Sequence, residues 1–380
     1  SAVAINGGDI SLYPNSLVWQ SIIKLEIARS RRANLSLRKT NLDPDVFVEQ
    51  LDNVTFRLNG DIIENRYKDH ESFNNNFSSI DIDSQFKRMP INKDEKKQGA
   101  VYIKTIIATI DSLITNDPTL ISIAMPGVKT KNKKGISVMA NGPRIPNLIQ
   151  EIKNYYGQSV KVLDIQSDAE MCAWGEEYAK NGALRSVSNA YYLGGGTGIA
   201  DGLKLKDKII SFDKESDWIA KCWELKLDNG NSLESLISMP GIINRNNSLD
   251  DICKNIALFL FDRICTILKG GSPKFKIGRP ISDSHPFKGL LIERIVIGQR
   301  LAEFFGSESG DIHFTKIKDI FIEYCNKEDG LLKDSFNSKN IDQKIVLSQL
   351  RESPIIGLGA KAYLSQWIWT IYPLKSQILK

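Results

Sequence analysis

The segment Tyr191-Tyr192-Leu193-Gly194-Gly195-Gly196-Thr197-Gly198-Ile199-Ala200-Asp201-Gly202 decides how the rest of the chain is read. An apolar, aromatic run enters a cluster of glycines with one embedded hydroxyl, and Leu203-Lys204-Leu205 then resumes an extended pattern. The pattern predicts a strand, a backbone-exposing turn and a second strand. Without Cβ atoms, successive backbone N–H groups can converge on an anion, and Thr197 adds a hydroxyl. The stretch reads either as a phosphate-binding hairpin or as an ordinary tight turn. It is not a P-loop, because no Gly-Lys-Ser/Thr follows and the next elements are extended rather than helical.

Composition bounds the classes. A chain of 380 residues is long enough for two domains and an ample core. Hydrophobic residues at 42% and charged residues at 25% suit a globular protein. The net charge of +5 is spread along the chain, and its densest run is Lys129, Lys131, Lys133 and Lys134. With Asn132 and Gly135 beside them and no interleaved aromatics, these lysines read as a solvated loop, and no nucleic acid is expected as a partner. The five cysteines are widely separated without a CxxC pair, and none of the three histidines stands at ligand spacing. Reduced thiols in a cytoplasmic protein and no structural zinc are expected. No apolar run is long enough to span a bilayer, so no membrane partner is expected.

Along the chain, Ala2–Ile5 reads as a strand entering the turn Asn6-Gly7-Gly8-Asp9, and residues 16–33 as an amphipathic helix. Thr55–Leu58 and Asp61–Ile63 flank Asn59-Gly60, which predicts a hairpin. The polar stretch 65–95 reads as a surface loop. From Val101 onward helix and strand patterns alternate: helix to Leu113, strand Thr119–Ala124, strand Ile136–Met139, helix Pro146–Tyr156, strand Val160–Ile165 and helix Ala169–Lys180. Beyond the glycine hairpin, Ser232–Ile237, Leu249–Leu268, Leu301–Phe305 and Gly359–Ile371 read as helices and Arg294–Ile297 as a strand. Such alternation argues an α/β chain with mixed sheets.

Several separated segments match one known pattern in order. Met125-Pro126-Gly127, Asn141-Gly142-Pro143-Arg144, Ser167-Asp168-Ala169-Glu170 with Gly175-Glu176, Gly196-Thr197-Gly198 with Gly202, Asn231–Ser235 with Pro240-Gly241, Ile295–Gly298 and Ile356–Ala360 together resemble the ROK family of repressors and sugar kinases. The resemblance implies a two-lobed actin-like ATPase (ribonuclease H-like) fold with a cleft between lobes. The smaller lobe would be 1–140 with the helix 359–380 packed on it, and the larger lobe 141–358. It also implies an ATP-dependent kinase acting on a hexose, amino sugar or cyclitol with Mg²⁺, and a homodimer.

The resemblance carries roles to particular positions. Asp168 would be the general base that takes the acceptor hydroxyl's proton; read alone, it is also a good N-cap for the following helix. Asn141, Arg144, Ser167, Glu215, Trp218 and Glu234 would shape the acceptor pocket, and Gly7, Gly8, Asp9, Gly196, Thr197, Gly198 and Gly298 the nucleotide side. Three departures stand out. Trp218 replaces the histidine that precedes the family's zinc loop, of which only Cys222 remains nearby. Ile5 and Asp9 stand where the N-terminal phosphate loop has aspartate and threonine. Gln299 and Arg300 follow Gly298 where further glycines are usual. A rebuilt ATP side leaves a second reading, a non-catalytic sugar-binding sensor or pseudokinase of the same fold.

Overall fold

The computed structural model describes residues 2–7, 23–25, 56–58, 66–112, 119–140, 142–157, 160–244, 248–271, 273–328 and 330–362. Contacts divide the chain into one unit of Ser1–Met171, Tyr178–Lys180 and Pro354–Lys380, and a second of Cys172–Glu177 and Asn181–Ser353. The first unit continues past residue 140 to Met171.

The reason lies in the first unit's sheet. β1 (Ala2–Gly7) pairs with the central apolar strand, while β2 (Ile23–Leu25) and β3 (Phe56–Leu58) form a separate pair. The centre is β4 (Thr119–Met125), and β5 (Val128–Lys129) and β6 (Ile136–Val138) make a small hairpin after it. β7 (Val160–Val162) and β8 (Gln166–Ser167) then run parallel to successive halves of β4, so residues past 140 complete this sheet. Helices Lys93–Asp111 and Leu148–Tyr156 bury Ile106, Ile110, Leu148 and Ile152 against Ile121 and Ile123. The longer helix begins where Asn92 accepts from the Glu95 N–H at 2.8 Å.

Three local expectations change here. Residues 23–25 are extended rather than helical, because Ile23-Lys24-Leu25 alternates with period two and finds a partner in Phe56–Leu58. The Asn59-Gly60 turn and Asp61–Ile63 lie outside the described residues. Part of 65–95 is interior: helix Ile82–Phe86, capped by Asp81, buries Gln85, whose amide oxygen accepts from the Met139 N–H at 2.8 Å. The C-terminal helix is described over 353–362, beginning ahead of Gly359.

In the second unit the glycine segment forms the expected hairpin. β9 (Ala190–Gly195) and β10 (Ile199–Leu205) pair antiparallel with Gly195 opposite Ile199, and β11 (Lys208–Ile210) extends the meander. β12 (Arg294–Gly298) lies parallel to β9, and β13 (Ile345–Leu347) parallel to β12. The order β11-β10-β9-β12-β13 has three antiparallel strands and then two parallel to the first, which is the ribonuclease H-like arrangement. Parallel neighbours need long crossovers. The first includes helix Leu249–Lys269 and the second helices Gln299–Phe305 and Asp311–Asn326. The long helix starts at Ser248, which accepts from the Asp251 N–H at 3.1 Å, and ends at Gly270 with φ 74°.

One charge pair lies inside this core. Arg263, 1% exposed, donates to Asp201 at 3.1 Å, and the Tyr191 hydroxyl donates to the same carboxylate oxygen at 2.9 Å. The other oxygen accepts from the Cys222 N–H at 3.2 Å. The Arg263 guanidinium also lies 5.2 Å from the Phe259 ring centre. Arg263→Met should cost about 3–5 kcal/mol, since it leaves a buried carboxylate without its counter-charge. The Arg263→Met/Asp201→Asn double variant should recover part of that loss, as read by urea unfolding in a double-mutant cycle. Additive single losses would contradict a coupled pair.

Candidate functional site

In the first unit the C-terminal end of β4 gathers the residues around Asp168. Met125 pairs with Ser167, so the Met125-Pro126-Gly127 turn and the Ser167-Asp168 step lie side by side. Lys129 closes the turn by donating to the carbonyls of Met125 at 2.7 Å and Gly127 at 3.0 Å. Asp168 opens helix Asp168–Tyr178, and one of its carboxylate oxygens accepts from the Ala169 N–H at 2.9 Å. The other has no hydrogen-bond partner among the described residues. A half-buried carboxylate with one oxygen committed and one open can both stay oriented and accept a proton. Two residues on, Glu170 is paired with Lys361 of the C-terminal helical stretch, which ties the start of this helix to residues 353–362.

Arg144 is placed elsewhere and is already engaged. Its Nε and one terminal nitrogen grip Glu95 at 2.7 and 2.6 Å, and further donors reach the carbonyls of Met89 at 2.6 Å and Pro90 at 3.3 Å. Burial alone would raise the Glu95 carboxyl, yet the hydrogen bonds and charge of Arg144 hold it below its ordinary value. This is a buried structural fork in place of the pocket guanidinium expected from sequence. Asn141 lies outside the described residues. So do Gly8 and Asp9, while Gly7 is described at the end of β1. Because β1 is antiparallel to β4, Gly7 stands opposite Thr119, about 20 Å of strand away from Met125 and Asp168. The strand direction therefore does not bring Gly7 to the Asp168 end of its sheet.

In the second unit the glycine elements converge on one end of the sheet. Gly194 pairs with Gly298, and Gly195 bridges to Gln299. Glu234 comes from helix Leu233–Ile237, which starts at Ser232 accepting from the Ser235 N–H at 3.0 Å. Its carboxylate accepts from the Ile199 N–H at 3.0 Å, and a Cβ at Gly198 would fall 2.5 Å from the same oxygen. A side chain at 198 would therefore have to displace the end of Glu234 from the hairpin. Gly298 is glycine for an interior reason, since a Cβ there would fall 2.1 Å from the buried Tyr192 hydroxyl. Gln299 follows with φ 58°, the left-handed conformation that glycine takes without strain, and its side chain donates to Ser353 Oγ at 3.1 Å.

Glu215 and Trp218 form a unit of their own. The Trp218 indole N–H donates to Glu215 at 2.7 Å. Trp218 is 1% exposed, and its ring is covered by His285, stacked with centroids 4.1 Å apart. That tryptophan is core and offers no open face to a sugar ring. His285 accepts from the Phe287 N–H at Nδ1, so its Nε2–H donates to the Thr266 carbonyl at 3.1 Å. Burial holds the imidazole below its ordinary pKa, and it stacks uncharged at neutral pH.

The fit to a nucleotide is local. A Cβ at Gly196 would meet nothing and Thr197 at the hairpin tip is exposed, so a phosphoryl group has room there. The Gly196 N–H itself donates to the Gly198 carbonyl at 2.8 Å, and the Gly196 carbonyl accepts from the Met239 N–H at 3.0 Å. Among the described residues no group of three carboxylate, histidine or cysteine side chains could hold a metal ion. Mg²⁺ would enter with the phosphates and keep most of its waters. No disulfide joins the five cysteines, and among the described residues no helix is long and apolar enough to cross a membrane.

Sequence reasoning missed Glu95, His285, Arg279 and the Asp201–Arg263 pair. Only the last left a signal: Asp262 and Arg263 interrupt an otherwise apolar helical face.

No protein-family model matches the chain, and no curated protein matches it in sequence. Solved structures similar to it include a ROK hexokinase from Thermus thermophilus, 14% identical over 73% of this chain and 89% of the other, with a TM-score of 0.43. A ROK-family glucokinase from Streptomyces griseus, in complex with glucose and AMPPNP, is 12% identical over 62% and 79%, with a TM-score of 0.40. A ROK-family transcriptional regulator, homologous to the E. coli MLC protein, is 14% identical over 71% and 69%, with a TM-score of 0.43. Likenesses of this size assign no activity to the chain.

The packing of Glu234 on the hairpin gives a direct test. Gly198→Ala should push the carboxylate off the Ile199 N–H and cost about 1 kcal/mol. The same change made in a Glu234→Ala background should cost far less, as measured by urea unfolding; equal costs would contradict the contact. With the ribonuclease H-like strand order of its second unit and the ordered segments around Asp168 and the glycine hairpin, the chain resembles the ROK group of actin-like ATPases.

Proposed function

We propose that the protein is an ATP-dependent kinase that phosphorylates a hydroxyl of a sugar or sugar-like polyol such as a hexose, amino sugar or cyclitol, with Asp168 as general base. The observation that carries this reading is the Asp168 carboxylate itself. It stands at the end of β8 beside the Met125–Gly127 turn, held by the Ala169 N–H on one oxygen and open on the other. The acceptor's O–H proton passes to that open oxygen as the alcohol oxygen bonds to the γ-phosphorus and the bond to the ADP oxygen breaks. Bound Mg²⁺ would supply charge neutralisation on the phosphates. The Gly196 N–H is spent on the Gly198 carbonyl at 2.8 Å. The reading therefore assigns phosphate contacts to the Thr197 hydroxyl and the backbone N–H groups of Thr197 and Gly198, and leaves Glu215 and Glu234 as acceptors for sugar hydroxyls.

One observation favours the second reading, a sugar-binding sensor without catalysis. Gln299 occupies a glycine-type backbone position, and its side chain lies over Ser353 at the end of the sheet where nucleotide contacts are assigned. The two readings separate on one variant. Asp168→Asn keeps an oxygen for the Ala169 N–H but cannot take a proton. The kinase reading expects kcat to fall by about 10²–10⁴ with sugar affinity and thermal midpoint unchanged. Wild-type turnover in this variant would falsify the assignment, and sugar binding with no turnover in the wild type would favour the sensor.

A further inference from the structure

Residues 216–224 have little regular structure, yet they follow Glu215 and carry Trp218. Something must hold them. From inside, Asp201 accepts from the Cys222 N–H at 3.2 Å, and Trp218 is packed in the core. From outside, one side chain does most of the holding. Arg279 donates its Nε to Glu224 at 3.0 Å and a terminal nitrogen to the other Glu224 oxygen at 3.2 Å. Its remaining contacts are to the carbonyls of Ser216 and, at 3.3 Å, Ile219. Glu224 in turn accepts from the Lys221 N–H at 2.7 Å, so the guanidinium reaches both ends of the segment.

The backbone around Arg279 is registered to the same segment. Lys226 and Lys276 exchange N–H···O bonds of 2.8 Å in both directions, and the Ser282 N–H donates to the Asp217 carbonyl at 2.8 Å. Arg279 therefore stands between two fixed points. A planar fork that joins one carboxylate and two carbonyls at once is a task that lysine, a point charge on a flexible stem, performs poorly.

We infer that Arg279 is a positioning residue for the acceptor side: by cross-linking Ser216, Ile219 and Glu224 it fixes the segment that sets the Glu215 carboxylate. The inference deepens the kinase reading and rests on it for the identity of the ligand. Ser216 adjoins Glu215, and the Trp218 N–H that orients Glu215 lies between the two carbonyls that Arg279 grips.

Arg279→Lys and Glu224→Gln test it without removing a core side chain. In both, amides of 216–224 should exchange with deuterium about tenfold faster than in the wild type, while those of β9 and β10 keep their rates. KM for the acceptor sugar should rise about fivefold in Arg279→Lys, with kcat and KM for ATP held within about twofold. Unchanged exchange in 216–224 overturns the cross-link. Equal shifts in KM for sugar and for ATP overturn the positioning role. If the wild type transfers no phosphoryl group, the kinase reading fails. The inference is then judged by deuterium exchange and by calorimetric affinity for glucose, and an unchanged value of either in Arg279→Lys overturns it.

Discussion

A guanidinium sealed in an apolar core must have its counter-charge, and the second unit is arranged around that requirement. Arg263 enters from the long helix Leu249–Lys269, Asp201 from the inner hairpin strand and Tyr191 from the strand beside it. The carboxylate oxygen left over reaches the Cys222 N–H, at the start of the loop's 3₁₀ turn. A single carboxylate thus fixes the hairpin, the helix beneath it and the segment that follows Glu215. Such a pair contributes little net stability over an apolar substitute, but losing one partner is costly, so it specifies arrangement more than it adds strength. The hairpin tip leaves Thr197 exposed.

The same economy recurs at other positions where charges are buried. Arg144 and Glu95 join the start of a helix to the strand-following segment 142–146, and Lys204 reaches Glu177 at 2.6 Å beneath the second sheet. On the outer side, Arg279 and Glu224 fasten the loop after Glu215, and His285 covers Trp218. Trp218 stands where the resemblance expects a histidine ahead of a zinc loop. In this chain His285 stacks on that tryptophan, and the guanidinium of Arg279 cross-links the loop.

What could be read from sequence divides by the range of the interaction. The hairpin Ala190–Leu205, the helix Leu249–Lys269 and the strand Arg294–Gly298 follow from local periodicity and glycine placement, so they were legible. Ile23–Leu25 was misread as helix because its strand pairing is with residues more than thirty positions away. Arg144 reads as ligand-facing until Glu95 is known to lie against it, and no local pattern reveals a partner 49 residues distant. The resemblance places Trp218 in the acceptor pocket, and only His285, brought in by folding, shows that it packs in the core instead. The step from strand to helix at Asp168 was legible, but the structure makes Asp168 the first residue of the helix rather than its cap, with its carboxylate accepting from the Ala169 N–H. The turn at Gly298-Gln299 shows the opposite case: the backbone keeps a glycine-type angle while the residue has changed.

The most direct measurement is phosphorus NMR of the protein with ATP, Mg²⁺ and a panel of hexoses, amino sugars and cyclitols. The kinase reading predicts a phosphomonoester resonance on one class of acceptor, growing in step with ADP and absent without that acceptor. ADP and inorganic phosphate appearing at the same rate with every sugar, or no turnover in the presence of a sugar that calorimetry shows to be bound, would contradict it.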